Sequence, residues 1–517
     1  MTSGKQTRGM KFGVYEGIAA TIMSTIVSAF LGVYIVSLGG TNTDVGFALS
    51  FPALLTVVAY IPAAYMAERG ISRKRISVVT SLLSRMLWIP VAFVPLLFFG
   101  GTIPVLMVIM LATLSSFLGA FITPSWSSLM GDIVPAGERG RYFGSRNNKC
   151  ILFSLVFVFL SGFIIDYLGS IQGFFFSFIM AGIAGILSSV FFMGFPDIRF
   201  PISEKINIKR DIEFILSDKK FKYFIISFSV FQFGVSLASP FFNIYLVEYM
   251  NAPYIWISIL ILAGGITKIV FQKGWGSLSD RFGHLHILRI TAVGATFIPF
   301  FWIFAPSPEF TVPIEILSGL SWAGLNLASF NFLLEITKGK KRTMASAIFW
   351  TFTGIALFLG PIIGGLIGDN FIGQTIFYMD NIEIIFFLSW IFRGIGTIML
   401  LKALSGVKTD PYFSTRYVTN EIMNIGVSHL TQPFMMLKMT SHHATRKSIG
   451  FLLDHVKNAI NEMKRMKIEI PVGIRKDINK IGREIRATRE NHSHHKRNIE
   501  RREMRIIYRL HKLKQKK

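Results

Sequence analysis

The sequence predicts an all-α membrane protein: twelve transmembrane helices in two six-helix bundles, followed by a basic amphipathic tail. Three observations predict it. Hydrophobic residues fill 51% of the 517 positions and charged residues only 16%, an apolar share beyond what a soluble domain can hide. The chain contains twelve apolar stretches of about the 20 residues that cross a hydrocarbon core, separated by charge or by Gly and Pro. A charged strip also occurs twice, as AYMAERGISRK from Ala64 to Lys74 and as GSLSDRFGHLH from Gly276 to His286, with Glu68-Arg69 where the later copy has Asp280-Arg281.

In the first half the spans run Val14 to Leu38, Val45 to Met66, Ile76 to Phe98, Ile103 to Ser127, Ile151 to Leu168 and Phe174 to Phe195. In the second half they run Tyr223 to Val247, Tyr254 to Trp275, Leu285 to Phe304, Thr311 to Glu335, Thr343 to Ile367 and Ile382 to Leu404. Helices are the open choice, because backbone groups in lipid must be satisfied within their own segment. Lys5, Arg8 and Lys11 precede the first stretch as they would in a secretory signal, but its apolar run is too long and lacks a small-residue cleavage site, so it is expected to stay as a membrane helix.

Every second loop is basic. Arg69, Arg73, Lys74 and Arg75 follow span two; Arg139, Arg141, Arg146 and Lys149 follow span four; Arg281 and Arg289 follow span eight; Lys338, Lys340, Lys341 and Arg342 follow span ten. The alternate loops GGTNTD, FGGT, GSIQG, YMNAP and APSPEF, and the stretch from Gly368 to Asn381, contain no Lys or Arg. This asymmetry places both termini in the cytoplasm and the chain in the cell membrane.

The two charged strips lie 212 residues apart, and each joins the second span of six to the third. The expected organisation is a bundle at 1–195, a cytoplasmic linker at 196–222, a second bundle at 223–405 and a tail at 406–517. Parallel six-helix repeats are one recognised way to build a secondary transporter.

Gly276, Leu278, Asp280, Arg281 and Gly283 fit the pattern G-x-L-x-D-R-x-G, with His284 and Leu285 where a basic pair would complete it. DIVPAGERGRYFGSRN and GPIIGG are further stretches of this type. On these motifs, residues 10 to 405 resemble the major facilitator superfamily. The first-half copy departs from the pattern: Glu68 replaces Asp, the glycines are lost, and the basic cluster slips to Arg73-Lys74-Arg75.

The resemblance implies secondary transport of a small solute by alternating access. It implies a cytoplasmic gate at Glu68, Arg69, Arg73, Gly276, Asp280, Arg281 and Gly283, with Asp132 and Glu335 pairing near Arg139 and Arg342. A carboxylate at a helix end can dock on the positive N-terminus of an opposing helix, about 0.3–1 kcal/mol when exposed; a charged turn that only fixes topology is the plainer alternative. The resemblance also places the substrate between the first, fourth, seventh and tenth helices, which offer Trp126, Gln232, Phe241, Asn243, Trp322, Asn326 and Asn331. This aromatic and amide lining suits an apolar or weakly polar compound, since an ionic solute would leave its charge unpaired. Export of such a compound is the expected direction, and uptake of a neutral metabolite such as a sugar is the alternative.

Arg85 and Arg393 lie inside spans three and twelve, where an arginine costs roughly 2.5–3.5 kcal/mol. Structural pairing or snorkelling, and a role in substrate binding or coupling, both account for them; Lys268 in span eight is a third such charge. Glu16, Asp166, Glu248, Glu315 and Glu335 all fall near span ends by these boundaries, so no proton carrier stands out and the coupling ion stays open. The glycines and proline of GIALFLGPIIGG in span eleven read as helix packing with a bend at Pro361. Cys150, the one cysteine, reads as packing.

No P-loop, HExxH, CxxC or nucleophile-elbow pattern occurs, so the sequence offers no case for an enzyme and no cofactor is expected. From Val407 to Lys517 the chain holds 25 Lys and Arg against 10 Asp and Glu, with isoleucines at helical spacing. Such a tail can lie on anionic lipid, and a non-transporting sensor or anchor acting through it is the functional alternative of another class. Its histidines lack a metal shell, no nucleic acid partner is expected, and a monomer in the bilayer is the expected state.

Overall fold

The computed structural model describes residues 4–68, 72–98, 100–135, 139–196, 217–337, 342–371 and 379–403. The expected linker core and basic tail lie outside the described residues. Twelve helical spans account for the rest. Span one is Gly4–Ser37, two Asn42–Glu68, three Arg73–Met86 with Trp88–Leu97, four Thr102–Ala120 with Ile122–Ile133, five Arg139–Leu168 and six Ser170–Met193. Span seven is Lys219–Ala238 continuing through Phe241–Ile244 and a π-helical turn at Tyr245–Tyr249; eight is Ile255–Phe282, nine His284–Ile303, ten Pro308–Ile336, eleven Arg342–Asn370 and twelve Asn381–Ala403. Among the described residues eleven spans are long and apolar enough to cross a membrane. The remaining one, span two, is 27 residues long and has its charges at Asp44 and Glu68.

Proline explains where spans break. A proline lacks the N–H that would bond four residues back and crowds that carbonyl. Pro90, Pro124 and Pro240 stand just past the interruptions at Leu87, Phe121 and Ser239.

Several helices outrun their apolar stretches. Span five begins at Arg139 rather than Ile151, span one at Gly4 rather than Val14, and span eight ends at Phe282 rather than Trp275. The corrections share a cause: hydropathy marks only the part of a helix that meets lipid, while backbone hydrogen bonding continues past it. Arg146 and Lys149 therefore sit on a helix, not in a loop.

The packing repeats between the halves. Span one packs on five and six, two on four, and three on four and six; span seven packs likewise on eleven and twelve, eight on ten, and nine on ten and twelve. Large apolar side chains such as Leu97, Met110 and Leu152 are exposed, while Ser77, Ser81, Ser188 and Ser389 are fully buried. This is the order expected where lipid is the solvent and small residues let helices approach. A β-carbon at Gly396 would lie 2.5 Å from the Phe231 backbone nitrogen, so spans seven and twelve touch backbone to backbone.

Candidate functional site

Among the described residues of the first six spans, Glu16 is a buried carboxylate, 3% exposed and about 18 Å along its helix at 1.5 Å per residue. Five spans contribute to its surroundings. Trp126 Nε1 of span four donates to Oε2 at 3.1 Å, and Arg146 Nη2 of span five donates to the same oxygen at 3.2 Å. Arg85 of span three pairs with Oε1 at 3.6 Å, and Ser188 of span six donates to Oε1 at 3.3 Å and to the Glu16 carbonyl at 3.0 Å.

The arginines are held from behind as well. Arg85 Nη1 donates to Ser188 Oγ at 2.6 Å and Ser189 Oγ at 3.3 Å. Arg146 Nε donates to the Gly13 carbonyl at 2.8 Å, and its guanidinium carbon lies 4.8 Å from the Trp126 ring centroid, a cation–π contact. Two guanidinium groups on one carboxylate leave an excess positive charge. The apolar stretch alone puts Glu16 near a span end; the helix instead begins at Gly4, and spans three to six close over Glu16.

Arg393 is different. It is 2% exposed, its Nη1 donates to the Ala295 carbonyl at 2.9 Å, and its Nε has no hydrogen-bond partner. It ties span twelve to span nine. Lys268 is half-buried midway along span eight. Glu315, also read as lying at a span end, packs against span eight: a β-carbon at Gly264 would lie 2.6 Å from its Oε1.

The gate motif falls on the last turns of span eight. Gly276 is half-buried there, and Gly283, with φ +88°, ends the helix so that span nine starts at once. That angle favours glycine. Ser279 Oγ and His284 Nδ1 are 2.7 Å apart across this turn. The side chains of Glu68, Arg73, Arg139, Asp280, Arg281 and Arg342, and the whole of Arg69, lie outside the described residues. Glu335 is exposed and Asp132 half-buried.

The seven expected lining residues do not form one set. Trp126 belongs to the Glu16 cluster. Gln232, Trp322 and Asn331 are half-buried and Asn326 is exposed; Gln232 Oε1 is buried without a partner. Phe241 is fully buried and lies against Gly364 of span eleven. Asn243 Nδ2 donates to the Ala29 carbonyl at 2.9 Å, so it joins spans one and seven. A separate apolar groove of about 770 Å³ lies over spans one, five and six, between Tyr15, Phe153, Phe176 and Phe191; several of its residues are exposed as lipid-facing side chains are.

The sequence matches the model of the Major Facilitator Superfamily over residues 17–314 and 224–404. It is 23% identical over 356 residues to an uncharacterised MFS-type transporter of Methanocaldococcus jannaschii, covering 66% of this chain and 86% of that protein. It is 24% identical over 370 residues to the quinolone resistance protein NorA of Staphylococcus aureus, covering 69% and 89%. Among solved structures, the nucleoside transporter NupG aligns with a TM-score of 0.59 at 16% identity, over 78% of this chain and 98% of that one. An inward-facing, occupied bacterial homologue of the human lysosomal transporter Spinster aligns with a TM-score of 0.60 at 13% identity, over 78% and 97%; both structural likenesses are of fold. With a family model matched across both halves and the same helix pairings repeated in each, this chain belongs to the major facilitator superfamily of membrane transporters.

Proposed function

We propose that the protein exports an apolar or weakly polar organic compound across the cell membrane by alternating access. Residues 1–195 and 223–405 would be the moving bundles and 196–222 their cytoplasmic tether, with both termini in the cytoplasm. The observation that carries the reading is the side-chain chemistry of Trp322, Gln232, Asn326 and Asn331 in spans seven and ten: aromatic surface with a few amides. The similarity to a quinolone resistance protein along most of both chains supports export. In the proposed cycle Glu68 and Asp280 latch the cytoplasmic face, with Asp132, Arg139, Glu335 and Arg342 beside them, while the basic tail lies on anionic lipid.

The unpartnered Gln232 Oε1 favours a second reading, since it could accept a hydrogen bond from a solute hydroxyl during uptake of a neutral metabolite. Dye accumulation separates the two. Cells lacking the protein are expected to retain more of a hydrophobic neutral or cationic fluorescent dye, and Asn326→Ala is expected to change which dyes are expelled. Unchanged dye levels with lost growth on one hydrophilic nutrient would favour uptake.

A further inference from the structure

Two carboxylates bind helix N-termini across the halves, at matching places. Asp369, one residue from the end of span eleven, accepts from the backbone N–H groups of Asn42 at 3.0 Å and Thr43 at 2.8 Å, which open span two. Asp166, near the end of span five, accepts from Tyr254 and Ile255, which open span eight, each at 2.8 Å. Span five corresponds to eleven and span two to eight in the repeat, so this is one contact made twice.

The donors are those a helix cannot satisfy itself, because the first N–H groups of any α-helix have no partner four residues back. Local capping does not serve them. Thr41 Oγ1 accepts from Asp44 N at 3.2 Å while Asp44 Oδ2 accepts from Thr41 N at 2.8 Å, leaving Asn42 and Thr43 for the other half of the molecule. The negative charge also meets the positive end of the helix dipole.

Around these contacts the halves touch closely. A β-carbon at Gly365 would lie 2.5 Å from the Asn42 carbonyl oxygen, one at Gly46 would collide with the Pro361 carbonyl, and Ser258 Oγ donates to the Val158 carbonyl at 2.7 Å. All of this lies on the face away from the basic loops. At the opposite ends of spans two and eight stand Glu68 and Asp280.

We propose that Asp166 and Asp369 form a two-fold latch that holds the extracellular face shut and is released when that face opens. The contact suits a reversible closure. On opening, both the carboxylates and the freed N–H groups gain water, so the net strength of each latch is small compared with its gross attraction. A latch that costs little to break biases the two states without locking either.

The inference rests on the alternating-access reading. Its test uses a Cys150→Ala background with Ser258→Cys, a fully buried position between spans five and eight, and a membrane-impermeant maleimide added outside intact cells. Asp166→Asn and Asp369→Asn are each expected to raise the labelling rate by roughly fivefold, and the double variant by roughly twenty-fivefold. Ser177→Cys, buried within the first half and bonded to Ser161, reports unfolding and is expected to stay unlabelled. Gly46→Leu is the wedge that parts the face without touching either aspartate.

If the wedge raises labelling and the asparagine variants do not, the latch is overturned while alternating access stands. If neither the wedge nor the variants raise it, both are overturned. Equal rises at Ser258→Cys and Ser177→Cys would mean that the aspartates hold the fold and not a gate.

Discussion

Replacing Glu16 by alanine is expected to cost the folded protein about 3–5 kcal/mol, because it strands the buried Arg85 and the partly buried Arg146 in a low-dielectric interior. The loss is larger than that of an ordinary buried hydrogen bond, for which about 1 kcal/mol is typical. Trp126, Arg146 and Ser188 each lose an acceptor at once, and Arg85 loses its counter-ion. Thermal unfolding in detergent measures it. Glu16→Gln, which keeps an oxygen acceptor but not the charge, is expected to fall between alanine and native. Adding Arg85→Met to Glu16→Ala should restore part of the stability by removing one unpaired charge. A Glu16→Ala protein as stable as the native one would show that the arginines find other partners.

A second large effect is expected at Gly396, where leucine should leave little folded protein. The position faces the Phe231 backbone, with the nitrogen at 2.5 Å and the Cα at 2.7 Å from where a β-carbon would sit. A backbone cannot rotate aside as a side chain can, so spans seven and twelve must separate. Overpacking of this kind costs typically 1–3 kcal/mol and more where the obstacle is rigid. Gly144→Leu is the matched control: it too lies on a membrane helix, but nothing stands within 4 Å of its would-be β-carbon. Monodispersity in size-exclusion chromatography should collapse for Gly396→Leu and hold for Gly144→Leu. Equal behaviour of the two would contradict the backbone contact.

The twelve spans were legible because lipid imposes one simple rule on sequence, a run of apolar residues of fixed length. The Glu16 cluster was not, and the reason is the same rule. Glu16 stands just inside the apolar stretch and Arg146 just outside its own, so hydropathy makes both boundary charges, whereas the helices run well beyond those stretches. Arg85 was visible as an intramembrane charge, but its partner lies 69 positions earlier and no local spacing joins them. The glycine-rich motif of span eleven read as packing, and Gly360, Gly364 and Gly365 do lie against spans seven and two. Asp369 is not legible in the sequence, since a carboxylate that caps a helix more than 300 residues away looks like any polar residue at a span end.

Transport itself is the most direct test of the account. The purified protein in sealed vesicles, with a hydrophobic neutral or cationic dye on the cytoplasmic-facing side and a proton or sodium gradient imposed in turn, should move the dye against its concentration under one of the two gradients. Dye that stays at equilibrium under both, while the same vesicles concentrate a hydrophilic neutral metabolite, would contradict export.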